Sequence, residues 1–320
     1  DGGRVFVLNR YGFDWLDELD PDDDLTLLQQ LAIQAASSEA SANAYDLALV
    51  GSGETAEAWL SLHGAGELQR LRFPELQAAT ADFDLALDLS AFADDDGIPE
   101  LGAIVPCGEV LFVAALRVDR SSWTPADRTL LIPVDVAGEQ PAVFDFDPLE
   151  PGADAIVLQG EGFGGWRLLP PVMAGTEGGD GTQILVLDSG LERVDLATGT
   201  SEWLVPAETF AEQGLTRLQL SAFDIDAQGR IWLAAAEPGF ASFSLWRVDL
   251  EGDTPQLLRE VEGLHSVTGA LEVIGNQAWF ADTTPGASGL RVFDLSMSPV
   301  VEVAGSPVAV GLPPMSLARL

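Results

Sequence analysis

The chain repeats itself, and the repeat limits the folds open to it more than any other feature. A turn residue, a short aromatic or β-branched strand, a loop, a strand ending in Asp and then Gly recur along the sequence. Gly229–Ala234 (GRIWLA) leads to Leu245–Gly252 (LWRVDLEG), and Asn276–Asp282 (NQAWFAD) to Leu290–Asp294 (LRVFD). Gly108–Val113 leads to Leu130–Asp135, Glu57–Leu60 to Leu68–Leu71, and Gly3–Leu8 to Trp15–Asp20. The least regular copy ends clearly at Leu191–Thr200, and its earlier strand falls near Trp166 or near Leu185. The copies are spaced by roughly fifty residues, the length of a four-stranded propeller blade.

This spacing predicts an all-β chain in which residues 1–320 form one domain, a six-bladed β-propeller. Most copies open with a further apolar strand, such as Tyr45–Val50 or Leu220–Ile225. The N-terminal copy lacks it, and Pro314–Leu320 has the same pattern. Pairing of that C-terminal strand with the N-terminal blade would close the ring and remove its open edges. In the Asp195–Gly199 turn, Gly199 is expected at positive φ, where a side chain would be strained.

Charge narrows the partners. There are 51 acidic residues against 15 basic ones, and every basic residue is Arg. A formal charge of −36 repels phosphate backbones and anionic lipid headgroups, so nucleic acid is excluded as a partner. No apolar run approaches the length of a transmembrane helix. The single cysteine, Cys107, rules out an internal disulfide. No signal peptide precedes the first strand, which fits a cytoplasmic chain or a mature, trimmed one.

The Asp195–Thr200 hairpin and the strand pattern resemble bacterial propellers of the YVTN/YncE-like type. Asp88–Glu100 and Leu116–Arg120 are similar to segments of secreted or lipoprotein propellers of unassigned role. The resemblance spans nearly the whole chain and implies export to the periplasm or cell surface. Any lipid anchor would lie outside this chain. It implies no catalytic residue.

In a propeller, the loops after each second strand and those joining blades share one face. That logic gathers Asn9, Arg10, Tyr11, Trp15, His63, Arg117, Asp119, Arg120 and Trp123 with Trp166, Arg167, Glu237, Phe240 and Asp282. From these, Arg10, Tyr11, Trp15, His63, Arg117, Asp119, Arg120, Trp123 and Asp282 are the candidate ligand-binding residues. Arg forks and aromatic planes would suit an anion. The alternative is that each Arg pairs with a neighbouring acid. Asp94, Asp96 and Glu100 resemble part of a calcium loop, with Gly97 for the turn, so Ca²⁺ is the one cofactor the residues suggest. The competing reading is a solvated acidic turn. The two histidines, His63 and His265, lack a zinc-ligand spacing.

Nucleophile motifs are missing. Gly51-Ser52-Gly53 lacks the elbow frame, and the Gly-rich stretch 160–165 does not open a helix. Three functions stand. The first is a non-catalytic binding propeller, secreted or at the cell surface, engaging a small ligand, metal chelate or protein on its loop face. The second is a Ca²⁺-dependent lactonase-like hydrolase with Asp46, Asp154 and Asp224 as inner-strand acids. The third is a structural subunit of a surface assembly.

Overall fold

The computed structural model describes residues 5–9, 14–20, 23, 26–34, 42–51, 56–72, 83–122, 124–146, 154–161, 165–168, 183–250 and 255–310. The chain divides into two compact units, Asp1–Phe163 and Gly164–Leu320. Each is built from sheets whose strands follow in chain order.

In the first unit, the first sheet contains β1 (Val5–Asn9), β2 (Trp15–Asp20) and β3 (Thr26–Ala32). The second contains β4 (Ala44–Val50), β5 (Glu57–Leu62), β6 (Glu67–Arg72) and β7 (Leu85–Asp88). The third contains β8 (Leu101–Cys107), β9 (Val110–Ala115), β12 (Leu130–Asp135), β13 (Ala142–Val143) and β14 (Ile156–Val157). Between β9 and β12 the chain makes a small ribbon, β10 (Val118–Asp119) with β11 (Thr124–Pro125). The repeat did not foretell this ribbon.

In the second unit, the fourth sheet contains β15 (Gly165–Leu168), β16 (Gln183–Leu187), β17 (Leu191–Asp195) and β18 (Thr200–Val205). Both strands suggested for the irregular copy therefore exist, as first and second strands of one sheet. A short helix, α1 (Ala207–Glu212), leads to the fifth sheet, β19 (Leu220–Ile225), β20 (Ile231–Ala236), β21 (Phe243–Asp249) and β22 (Gln256–Leu264). The sixth contains β23 (Leu271–Ile274), β24 (Gln277–Asp282), β25 (Gly289–Asp294) and β26 (Val301–Glu302). All pairings are antiparallel, as short meandering strands require. None of the described helices is long and apolar enough to cross a membrane.

Among the described residues the first sheet has three strands, against four in the second, fourth, fifth and sixth and five in the third. Its β1 touches β4, as β5 touches β8 and β20 touches β23. First strands meet in the same way, β4 with β8 and β19 with β23, so neighbouring sheets touch through both their first and their second strands. Residues 314–320, expected to add a strand to this sheet, lie outside the described residues.

Central strands such as β9 and β20 are buried at nearly every position, so within each unit neighbouring sheets pack on both of their faces. One core joins the second and third sheets through Trp59, Leu68, Leu111, Val113 and Ile132. Another joins the fifth and sixth through Trp232, Phe243, Phe280 and Phe293. Trp59, Trp232 and Trp246 are fully buried, which makes them packing residues.

Carboxylates staple the sheets together. In β4, Asp46 accepts the Leu47 N–H (2.8 Å) and the Ile104 N–H of the next sheet (2.9 Å). In β19, Asp224 accepts the Ile225 N–H (2.8 Å) and the Val273 N–H of the next sheet (2.7 Å). Both staples follow a β-bulge in the first strand of their sheet, which offsets the ladder. Asp154 precedes β14 rather than lying in a strand. Gly199 has the expected positive φ, +67°, with Asp195 accepting the Ala197 and Thr198 N–H groups around it.

Candidate functional site

Loops of the second and third sheets meet around the connection from β7 to β8. Asp94 accepts the Asp96 N–H (3.1 Å), and Asp96 accepts the Ile98 N–H (2.8 Å). These overlapping turns, with Gly97 at φ +81°, coil the acidic stretch tightly. Pro99 then packs against Gly66 in the β5–β6 turn, where an added Cβ would lie 2.6 Å from the Pro99 ring.

Glu100 turns the chain into β8 with φ +46°, unusual for a residue with a side chain. That turn drives its carboxylate inward, where it is wholly buried. There it accepts the Val118 N–H (2.9 Å) and the Arg120 Nε–H (2.7 Å). Burial pushes the Glu100 carboxyl above its ordinary range, and the Asp96 charge adds to that push. The Val118 N–H and Arg120 oppose it. Arg120 also donates to the His63 carbonyl (3.1 Å) and stands 3.9 Å from Asp96.

Arg117, also left-handed at φ +52°, closes the opposite side. Its guanidinium meets Asp127 at 2.8 Å. Hydrogen bonds from Ser121 and Ser122 hold Asp119 below the usual carboxylate range. The Arg128 N–H, then the Arg117 charge, do the same for Asp127. Together Asp94, Asp95, Asp96, Arg117, Asp119 and Asp127 line a cavity of about 470 Å³.

The structure thus brings together His63, Arg117, Asp119 and Arg120 with Asp94, Asp96 and Glu100. Oxygens of the last three all lie within 4.8 Å of one another. His63 contributes its carbonyl here, while its ring stacks on Tyr45 at 5.7 Å between centroids. Trp15 opens β2 opposite Asn9 and is partly exposed. Arg10, Tyr11 and Trp123 lie outside the described residues. Asp282 belongs to the second unit, where it is buried, accepts the Thr284 N–H (2.7 Å) and faces Arg291 at 3.9 Å. The sequence did not single out Asp127. Its only signal was its place just before β12, in the same loop as Arg117.

Arg117 and Arg120 follow the pairing alternative: each guanidinium is turned onto a carboxylate. With Glu100 behind the wall, six carboxylates face two guanidinium groups. The cavity therefore carries net negative charge and concentrates cations. A roomier cavity, about 670 Å³, lies at the opposite turns of the same sheets. Most of its charged groups are spent on one another: Arg72 bonds Glu57 and Glu139, and beside them Arg70 forks onto Asp84. It offers less to a ligand.

Comparison with solved structures places the fold. Dihydro-heme d1 dehydrogenase NirN, in complex with DHE, aligns over 96% of this chain with a TM-score of 0.53 and 16% identity. This chain spans 55% of that one. The fold is propeller-like. The periplasmic gluconolactonase PpgL of Pseudomonas aeruginosa aligns over 82% of this chain and 68% of its own, with a TM-score of 0.50 and 15% identity. At such identities the likeness speaks for the fold alone. No family model matches the sequence. No curated protein matches it either.

Proposed function

We propose that the chain is a six-bladed propeller, closed by its C-terminal strand on β1, and that it works as an exported, non-catalytic binding protein. The cleft between Asp94 and Asp127 is its ligand site, and the ligand is small and positively charged. The cleft's excess of carboxylates carries this reading. Asp94, Asp96, Asp119 and Asp127 are fixed by hydrogen bonds or ion pairs, which suits recognition. A general base needs a pKa near the working pH: Asp119 and Asp127 are held below the usual carboxylate range, and Glu100, though pushed up, is buried and engaged by the Val118 N–H and Arg120. The acidic shell and the resemblance to secreted propellers support a periplasmic or cell-surface setting.

Spermidine, titrated by calorimetry at low salt, tests the site. Wild-type protein should bind it, and raising the salt should weaken binding by screening. Asp95→Asn with Asp119→Asn, which leaves Arg117 and Arg120 their partners, should lower affinity by about tenfold. Equal affinity in that double variant, or equal binding of glutarate, would refute the reading.

A further inference from the structure

We propose that the end of the fifth sheet carrying the β20–β21 turn docks a basic, apolar-tipped segment of another protein, with Phe240 as the anchor. The site lies wholly in the second unit and is independent of the cleft reading. The turn is tight: the Glu237 N–H donates to the Ser242 carbonyl (2.7 Å), and the Phe240 N–H to the Glu237 carbonyl (2.9 Å). Gly239 and Phe240 both take left-handed backbone, at φ +83° and +56°. Glycine adopts that region freely, whereas a bulky aromatic does so at a cost. Packing does not offset that cost, because Phe240 is 57% exposed. An aromatic ring held strained in solvent points to recognition rather than to the core.

Two further apolar side chains flank this turn. Leu218, 79% exposed, precedes Gln219, whose amide donates to the Ala236 carbonyl just before the turn (2.9 Å). Val267, 67% exposed, lies in the connection from β22 to β23. That connection crosses the same end of the sheet, since Gly269 abuts the Phe243 ring and Ser221 with no room for a Cβ. Three exposed apolar side chains at one sheet end suit a protein partner.

Charge selects the kind of partner. Glu237 opens the turn, Glu262 is exposed near the end of β22, and α1, which packs on β22, exposes Glu208 and Glu212. Nearby, Arg259 lies 3.5 Å from both Glu237 and Glu262, and Arg217 is turned onto Asp188 at 3.3 Å. The rim is left acidic and attracts a basic surface. A second copy of this chain brings a charge of −36 and is repelled, as is an anionic lipid surface.

A synthetic amphipathic peptide of Leu and Lys, and a Gly/Lys peptide of equal charge, titrated into the full chain by calorimetry, test this. The wild type should bind the Leu/Lys peptide about tenfold tighter than the Gly/Lys peptide. Leu218→Ser with Phe240→Asn should erase that difference and leave the Gly/Lys and spermidine affinities unchanged. Phe240→Asn alone should melt no lower than the wild type, since Asn tolerates left-handed backbone. A clear fall in its melting temperature would make the ring a packing residue and overturn the proposal. So would equal binding of the two peptides by the wild type, or a Leu/Lys preference that survives the double variant. Sedimentation at rising protein concentration and flotation with phosphatidylcholine vesicles check the other occupants. Self-association or vesicle binding that the double variant abolishes would give the patch to a second copy or to lipid, and the basic partner would fall.

Discussion

Replacing Asp226 with Ala is expected to cost about 2–4 kcal/mol of folding stability. Its carboxylate is fully buried and takes four hydrogen bonds. One oxygen accepts the Gln228 and Arg230 N–H groups, each at 2.9 Å. The other accepts Arg230 Nε (2.7 Å) and the Trp232 indole N–H (2.9 Å). Arg230 then reaches the Leu295 carbonyl in the turn that follows β25 of the sixth sheet (2.9 Å). Removing the carboxylate leaves the indole and two backbone donors without their acceptor. It also frees the guanidinium that ties two sheets together. Arg230 is partly exposed and keeps some hydration, which holds the figure below that for a wholly buried pair. Urea unfolding gives the value, and Asp226→Asn should lose less. A cost under about 1 kcal/mol would show that the network adds little.

The staples come next in size. Asp46→Ala and Asp224→Ala should each cost about 1–3 kcal/mol, because each uncovers two backbone N–H groups. In both variants one of those donors belongs to the next sheet. The loss should therefore appear in hydrogen exchange as faster exchange at Ile104 for one and Val273 for the other. The two sites share no partner and sit in different units, so their costs should add. Exchange unchanged at Ile104 and Val273 would mean that apolar packing alone holds neighbouring sheets in place.

These examples show what the sequence could and could not reveal. Strands such as Ile231–Ala236 and Val110–Ala115 were legible because short, unbroken apolar runs next to a turn Gly mark them locally. Asp46 and Asp224 were noticed as inner-strand acids, but their partners lie 58 and 49 residues away. No local pattern announces a contact at that range. The convergence of Asp94, Asp96 and Glu100 was readable from spacing. The burial of Glu100 was not, since its left-handed backbone is imposed by the meeting of two sheets rather than by its own preference. Arg117 and Arg120 looked available to an anion because Asp127 and Glu100 are their partners only in three dimensions. The ribbon of Val118–Asp119 with Thr124–Pro125 was hidden because strands of two residues leave no periodicity to detect.

The ring itself is tested most directly at β1. In an antiparallel pair, alternate amides point toward the partner strand and the rest point away. β2 covers one edge of β1. Residue-resolved hydrogen exchange at Val5–Asn9 reports on both edges at once. A closed six-bladed ring predicts slow exchange at every amide of β1, with the far-edge set speeding up once residues 314–320 are removed. Protection confined to the amides that face β2 would contradict closure.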